Sequence, residues 1–92
     1  MSKREKLIAR FVQMPTDFSW DELTQLLRGF DYDIETKGKT SGSRVRFIHD
    51  DYPPIDLHKP HPSNVLKRYQ MQYLDDFLST EGLYSEVNDD TN

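Results

Sequence analysis

The hydrophobic pattern of this 92-residue chain changes its period near residue 30, and that change limits the folds open to it. Before that point, apolar side chains recur every three or four positions, which is typical of amphipathic helices. After it, Tyr32, Ile34 and Thr36 alternate with charged residues, which is typical of a half-buried strand. Since a chain of this length fits one domain, the sequence predicts a single α+β domain.

Two helices are predicted before the change of period. The first covers about residues 3–14 and is ended by Pro15, which cannot continue a helix. The second begins at a capping box, in which Ser19 and Glu22 each bond to a backbone N–H of the other. Gly29 indicates the end of that second helix.

Three antiparallel strands are predicted next, at residues 32–37, 44–49 and 55–58. Residues 59–63, which contain Pro60 and Pro62, break the sheet. A final helix follows directly and ends near Gly82. The predicted order is therefore α-α-β-β-β-α, with the helices packed on one face of a three-stranded sheet.

The apolar side chains of the final helix are predicted to form one buried stripe, made of Val65, Leu66, Tyr69, Tyr73, Phe77 and Leu78. Core packing is likewise the prediction for Trp20. The domain is predicted to cover residues 1–82, and residues 83–92 are expected to fray as an acidic tail.

Charge is distributed unevenly along the chain, whose net charge is −4. Residues 37–68 carry seven basic and three acidic side chains, whereas residues 69–92 carry six acidic and no basic ones. The middle of the chain is thus a basic island that also contains the three histidines.

Several classes of protein are excluded or disfavoured by composition. The absence of cysteine excludes disulfides and thiolate metal sites. No apolar run is long enough to cross a bilayer, and no apolar signal segment follows Met1. We therefore expect a cytoplasmic protein without a membrane partner.

The basic island supplies groups suited to a phosphate backbone. Lys37, Lys39 and Ser43 lie in a glycine-containing loop whose backbone N–H groups, hydroxyls and charges can meet a phosphate. Arg44 and Arg46 are two apart on a strand, so they share one face. The alternative is structural, because hairpin loops are commonly polar and strand arginines can pair with nearby carboxylates, here those of Asp33, Glu35 or Asp56.

His58 and His61 flank Lys59 and Pro60 at the end of the third predicted strand. Histidine suits proton transfer near neutral pH, and Lys59 adds a further charge for a phosphate. The alternative for His61 is packing or capping at the start of the helix. Two histidines without a clear third ligand make a poor metal site, so neither a metal nor another cofactor is predicted.

Residues 20–78 resemble the HicA toxins, small mRNA interferases whose fold is like the double-stranded RNA-binding domain. The resemblance is carried by Lys37-Gly38, by residues 42–47 (Gly-Ser-Arg-Val-Arg-Phe) and by residues 57–62, which end in Pro-His-Pro. It implies an RNA ligand, cleavage of mRNA without metal, and a HicB-type antitoxin that covers the active face. The protein would then exist as a monomer or in an antitoxin complex.

One residue departs from the family pattern, because Arg44 stands where the family usually has a catalytic histidine after Gly-Ser. An arginine can hold a phosphate or stabilise a transition state, but it stays protonated and cannot act as a base. The acid–base role would pass to His61 or, as second choice, to His58. Alternatively, the chain is a module of the same fold that binds RNA or a protein without chemistry.

Overall fold

The computed structural model describes residues 3–35 and 44–84. Within these ranges the elements are α1 (Lys3–Val12), α2 (Trp20–Gly29), β1 (Asp33–Ile34), β2 (Arg44–Ile48), β3 (Ile55–His58) and α3 (Arg68–Thr80). The α+β class and the predicted order of elements are confirmed. The likeness to the double-stranded RNA-binding domain stays a prediction.

The three strands form one antiparallel sheet in the order β1-β2-β3, so β3 lies at an edge. Phe47 pairs with Ile55 across β2 and β3, and both side chains are fully buried. Trp20 packs on this inner face with its ring centroid 5.8 Å from that of Phe47, which confirms its predicted core position. On the outer face, the β2 side chains Arg44 and Arg46 are exposed, as the alternation predicts.

The capping box at the start of α2 is confirmed. The backbone N–H of Glu22 donates to Ser19 Oγ (3.1 Å), and the Ser19 N–H donates to Glu22 Oε1 (3.0 Å). The same carboxylate accepts from Arg10 Nε of α1 at 2.8 Å, while Arg10 Nη2 donates to Asp17 Oδ1 at 3.0 Å. One glutamate therefore both caps α2 and holds α1 against it.

The final helix begins later than the Pro-His-Pro segment predicts. α3 starts at Arg68, and the chain before it runs beside the entry to α2. There, the Trp20 N–H donates to the Asn64 carbonyl (2.8 Å), and the Leu66 N–H donates to the Phe18 carbonyl (2.9 Å). These bonds hold the segment extended, so the prediction that residues 60–63 lead directly into a helix is wrong.

The buried face of α3 is also rotated from the prediction. Tyr69 and Tyr73 are 60% and 44% exposed, so their assignment to the core is wrong. The buried face is formed by Gln70, Met71, Leu74 and Leu78. Leu78 belongs to both the predicted and the observed buried face. The observed face was not predicted because it contains a polar residue, Gln70.

Gln70 is buried, with 5% of its surface exposed, because both ends of its carboxamide are bonded. Its Nε2 donates to the His58 carbonyl of β3 at 2.8 Å. Its Oε1 accepts from the backbone N–H of Lys67, the residue before α3, at 3.0 Å. This side chain thus ties the start of α3 to the end of the edge strand.

The packed domain continues past the predicted boundary at residue 82. Gly82 has φ +74°, a left-handed conformation that turns the chain after α3. Leu83 is fully buried, and the Tyr84 hydroxyl donates to Asp75 Oδ1 at 2.8 Å. Residues 83 and 84 therefore belong to the domain, and the remainder of the predicted tail lies outside the described residues.

We predict that Gln70→Leu lowers the free energy of unfolding by about 1–3 kcal/mol, because it leaves the His58 carbonyl and the Lys67 N–H without their partner. Urea denaturation followed by circular dichroism measures this change. Gln72→Leu, at an exposed position of the same helix, is the matched control and should stay close to the wild type. Equal effects of the two variants would contradict the role given to Gln70.

We predict that Glu22 contributes acid-sensitive stability. The hydrogen bond from Arg10 is the main cause that lowers the pKa of Glu22 in the folded protein. A lowered folded pKa means that the stabilisation is present above the unfolded value of about 4.3 and is lost as the pH falls through the folded value.

The difference in unfolding free energy between the wild type and Glu22→Gln should therefore be larger at pH 7 than at about pH 2. Urea titrations at the two pH values measure it. In an Arg10→Met background the pH dependence of this difference should shrink. A difference that persists unchanged at the acidic pH would contradict the assignment.

Candidate nucleic-acid interface

The outer face of the sheet brings together two of the predicted site residues. Arg44, the first residue of β2, lies directly opposite His58, the last residue of β3. Both side chains are exposed. Residues directly opposite on one face of an antiparallel pair have Cβ atoms about 5 Å apart, so the two side chains leave the outer face side by side.

Arg46 is engaged with carboxylates on both sides, one from Asp56 of β3 and one from Glu35, which directly follows β1. Its Nε and Nη2 donate to the two oxygens of Asp56 at 2.9 and 3.3 Å, and Glu35 Oε2 lies 3.8 Å from Nε. The hydrogen bond to Asp56 is the main cause that raises the pKa of Arg46. The structural alternative for the strand arginines, pairing with nearby carboxylates, is thus present at Arg46. These carboxylates largely balance its positive charge.

Arg44 differs from Arg46, since it has no carboxylate partner within the described residues. The cations near it belong to neighbouring segments. Lys59 is exposed directly after β3. Lys67 is also exposed, and its backbone is joined to that of His58 through the side chain of Gln70. Positive charge at this end of the sheet therefore exceeds that around Arg46.

The other predicted site residues are distributed differently. His61 is exposed in the segment between β3 and α3, three residues beyond His58. Lys37, Lys39 and Ser43 lie outside the described residues, so their predicted phosphate contacts remain predictions. The pair that the described residues bring together is Arg44 with His58.

A groove lies between β3 and α3, and His58 is one of its lining residues. Its volume is about 370 Å³, and it is lined by Asp56, Leu57, His58, Tyr69, Gln70 and Tyr73. Burial is the main cause that raises the pKa of Tyr73, and the charge of Asp56 adds to it. Leu57 and the two tyrosine rings give the groove an apolar lining, and the carboxylate of Asp56 lies beside them.

Tyr69 and Tyr73 are the site residues that the sequence reasoning missed. The sequence does contain a pattern that would have identified them. Met71, Leu74 and Leu78 form a second apolar stripe on α3, on a different face from the tyrosines. Choosing that stripe turns both tyrosines outward. Because this second stripe also includes the polar Gln70, the stripe that contains the tyrosines was the more apolar of the two.

His49 lies at the other end of β2 and has a structural environment. It is half-buried, with its ring centroid 4.9 Å from that of Tyr32 and 4.8 Å from that of Tyr52. Its Nδ1 accepts from the Asp51 N–H at 2.9 Å. The aromatic contacts explain its partial burial.

No known family model matches the chain, and no curated protein or solved structure matches it significantly. None of the helices in residues 3–35 and 44–84 is long and apolar enough to cross a membrane. Over the same residues, no group of three or more histidine, aspartate or glutamate side chains is arranged to hold a metal ion.

We predict that Asp56→Asn increases affinity for polyanions, because it removes the carboxylate that balances Arg46. Elution from a heparin column should require more salt than for the wild type. Asp51→Asn makes the same change of charge in the turn between β2 and β3, at the end of the sheet away from Arg44 and His58, and should shift elution less. If the two variants shift the eluting salt concentration equally, the outer face of the sheet is not the surface that contacts heparin.

Proposed function

We propose that this protein is a HicA-like toxin that binds mRNA on the outer face of its sheet and cleaves it without a metal ion. The observation that carries the proposal is the pairing of Arg44 with His58 across β2 and β3. One supplies a permanent positive charge and the other a group that can exchange a proton near neutral pH. A proton acceptor and a cation that stabilises the phosphate are both used in metal-independent RNA cleavage.

The reaction can be written with these two residues. Neutral His58 takes the proton of a ribose 2′-hydroxyl, whose oxygen then bonds to the adjacent phosphorus. Arg44 stabilises the negative charge that develops on the phosphate oxygens. The bond from phosphorus to the 5′ oxygen breaks, and a solvent water protonates that oxygen while His58 returns its proton to solvent. The products are a 2′,3′-cyclic phosphate and a 5′-hydroxyl.

The geometry favours His58 over His61 for the acid–base role, which reverses the preference drawn from the sequence. His58 shares a face and a register position with Arg44, whereas His61 lies beyond the end of the strand. Proton transfer needs hydrogen-bond reach to the same nucleotide that the arginine holds. His61 is therefore the second choice.

The proposal includes a partner and a location. A HicB-type antitoxin would neutralise the toxin by covering the face that carries Arg44 and His58. An acidic surface on that partner would complement the exposed cations Arg44, Lys59 and Lys67. Because mRNA is the substrate, we propose that the protein acts in the cytoplasm.

A second candidate function is a module that binds RNA without cleaving it. The observation in its favour is that Arg44 stands at the position of the catalytic histidine of the family that the chain resembles. The balanced charge of Arg46 weakens phosphate binding but leaves Arg44 available.

The proposal predicts that the purified protein cleaves a long single-stranded RNA in the presence of EDTA and leaves 2′,3′-cyclic phosphate ends. Loss of the acid–base group in His58→Ala should reduce the rate by about 10²- to 10⁴-fold. His61→Ala is the matched control and should retain most activity. Gel analysis of end-labelled RNA measures both variants.

Three outcomes separate the candidate functions. Wild-type rates in His58→Ala, with loss of cleavage in His61→Ala, would transfer the role to His61. An RNA that is bound but stays intact with the wild type would favour the non-catalytic module. Neither binding nor cleavage would contradict an RNA function altogether.

A further inference from the structure

Two large aromatic side chains are exposed in the part of the chain that the structure describes. Tyr69 and Tyr73 keep 60% and 44% of their surface accessible. In contrast, five aromatic side chains expose at most 1% of their surface, namely Phe11, Phe18, Phe30, Tyr32 and Phe47. Trp20 exposes 6%, and Tyr52, Phe77 and Tyr84 are half-buried against the core. The fold therefore has a well-packed aromatic core, and these two rings are left outside it.

The position of the two rings is set by the fold. Gln70 is held inward by its bonds to His58 and Lys67, and this fixes the rotation of α3 about its axis. Residues four apart on a helix lie on the same side, one turn from each other. Tyr69 and Tyr73 therefore stand together at one wall of the groove, opposite the edge strand.

The groove and the Arg44–His58 pair are parts of one surface, because His58 belongs to both. A phosphate held between Arg44 and His58 would place the neighbouring nucleotide at the mouth of the groove. Leu57 and the tyrosine rings give the groove an apolar lining, which suits the face of a base rather than another phosphate.

We infer that this groove is a stacking site for an unpaired RNA base, in which Tyr69 and Tyr73 bind the base next to the phosphate held by Arg44 and His58. The inference rests on the proposed function and names its substrate class, single-stranded RNA. Bases in a duplex are stacked on one another and offer no free face, whereas single strands can present theirs to aromatic side chains.

The test compares two oligomers of equal length, a single-stranded RNA and its abasic counterpart with the same phosphates and no bases. Both carry 2′-O-methyl groups, so that the proposed reaction cannot cleave them during the measurement. Fluorescence anisotropy gives the dissociation constant of each, and the wild type should bind the RNA more tightly. Tyr69→Leu and Tyr73→Leu should each reduce the affinity for RNA by roughly five- to hundredfold, with little effect on the abasic strand.

Matched variants separate stacking from other effects. Tyr69→Phe and Tyr73→Phe keep the ring and should keep the preference for RNA. Arg44→Ala should weaken binding of both oligomers, since it removes a phosphate contact. The salt dependence of binding should be the same in the leucine variants as in the wild type, because no phosphate contact is lost.

The outcomes distinguish this inference from the proposed function. Equal wild-type affinity for the two oligomers overturns the stacking site and leaves RNA binding in place. Failure of the wild type to bind either oligomer overturns the proposed function. If the leucine variants still prefer RNA over the abasic strand, the tyrosines do not bind the base.

Photocrosslinking gives a second readout that does not depend on affinity. A single-stranded RNA carrying 5-iodouridine should crosslink to Tyr69 or Tyr73, and mass spectrometry of the digested complex identifies the residue. Crosslinks confined to the face of α1 and α2 would contradict the inference. Urea denaturation of each variant checks folding, which substitution at such exposed positions should leave intact.

Discussion

The carboxamide of Gln70 is the interaction on which the candidate site depends. It joins the last carbonyl of the edge strand β3 to the backbone N–H before α3, at 2.8 and 3.0 Å. Because both of its ends are bonded, a polar side chain can lie at the buried face of a helix without a large desolvation penalty. The same bonds fix which side of α3 faces the sheet, and so they place Tyr69 and Tyr73 outside the core.

The register of the sheet then decides which charged groups are available. Arg46 stands opposite Asp56 and is balanced by it, whereas Arg44 stands opposite His58. Two arginines that look equivalent in sequence thus differ in their capacity to hold an anion. The groove, with the tyrosines at one wall, continues from His58, so an ionic site and an apolar one adjoin on a single surface.

Features with a local cause were predictable from the sequence, and features that depend on distant partners were not. The capping box at Ser19 and the alternation along β2 follow from spacing alone, and both predictions are confirmed. The face of α3 was mispredicted because hydropathy cannot show that Gln70 finds its partner in His58. In the same way, the sequence offered three carboxylates for the strand arginines, and the strand register places two of them, Asp56 and Glu35, against Arg46.

The central claim, that RNA binds where Arg44, His58 and the groove meet, is tested most directly by nuclear magnetic resonance. Titration of the isotopically labelled protein with a single-stranded RNA, blocked by 2′-O-methyl groups against cleavage, reports the contact through changes in backbone amide shifts. The account predicts changes concentrated at Arg44, at Lys59 and around Tyr69 and Tyr73. Changes confined to α1 and α2, or no changes at a saturating RNA concentration, would contradict it.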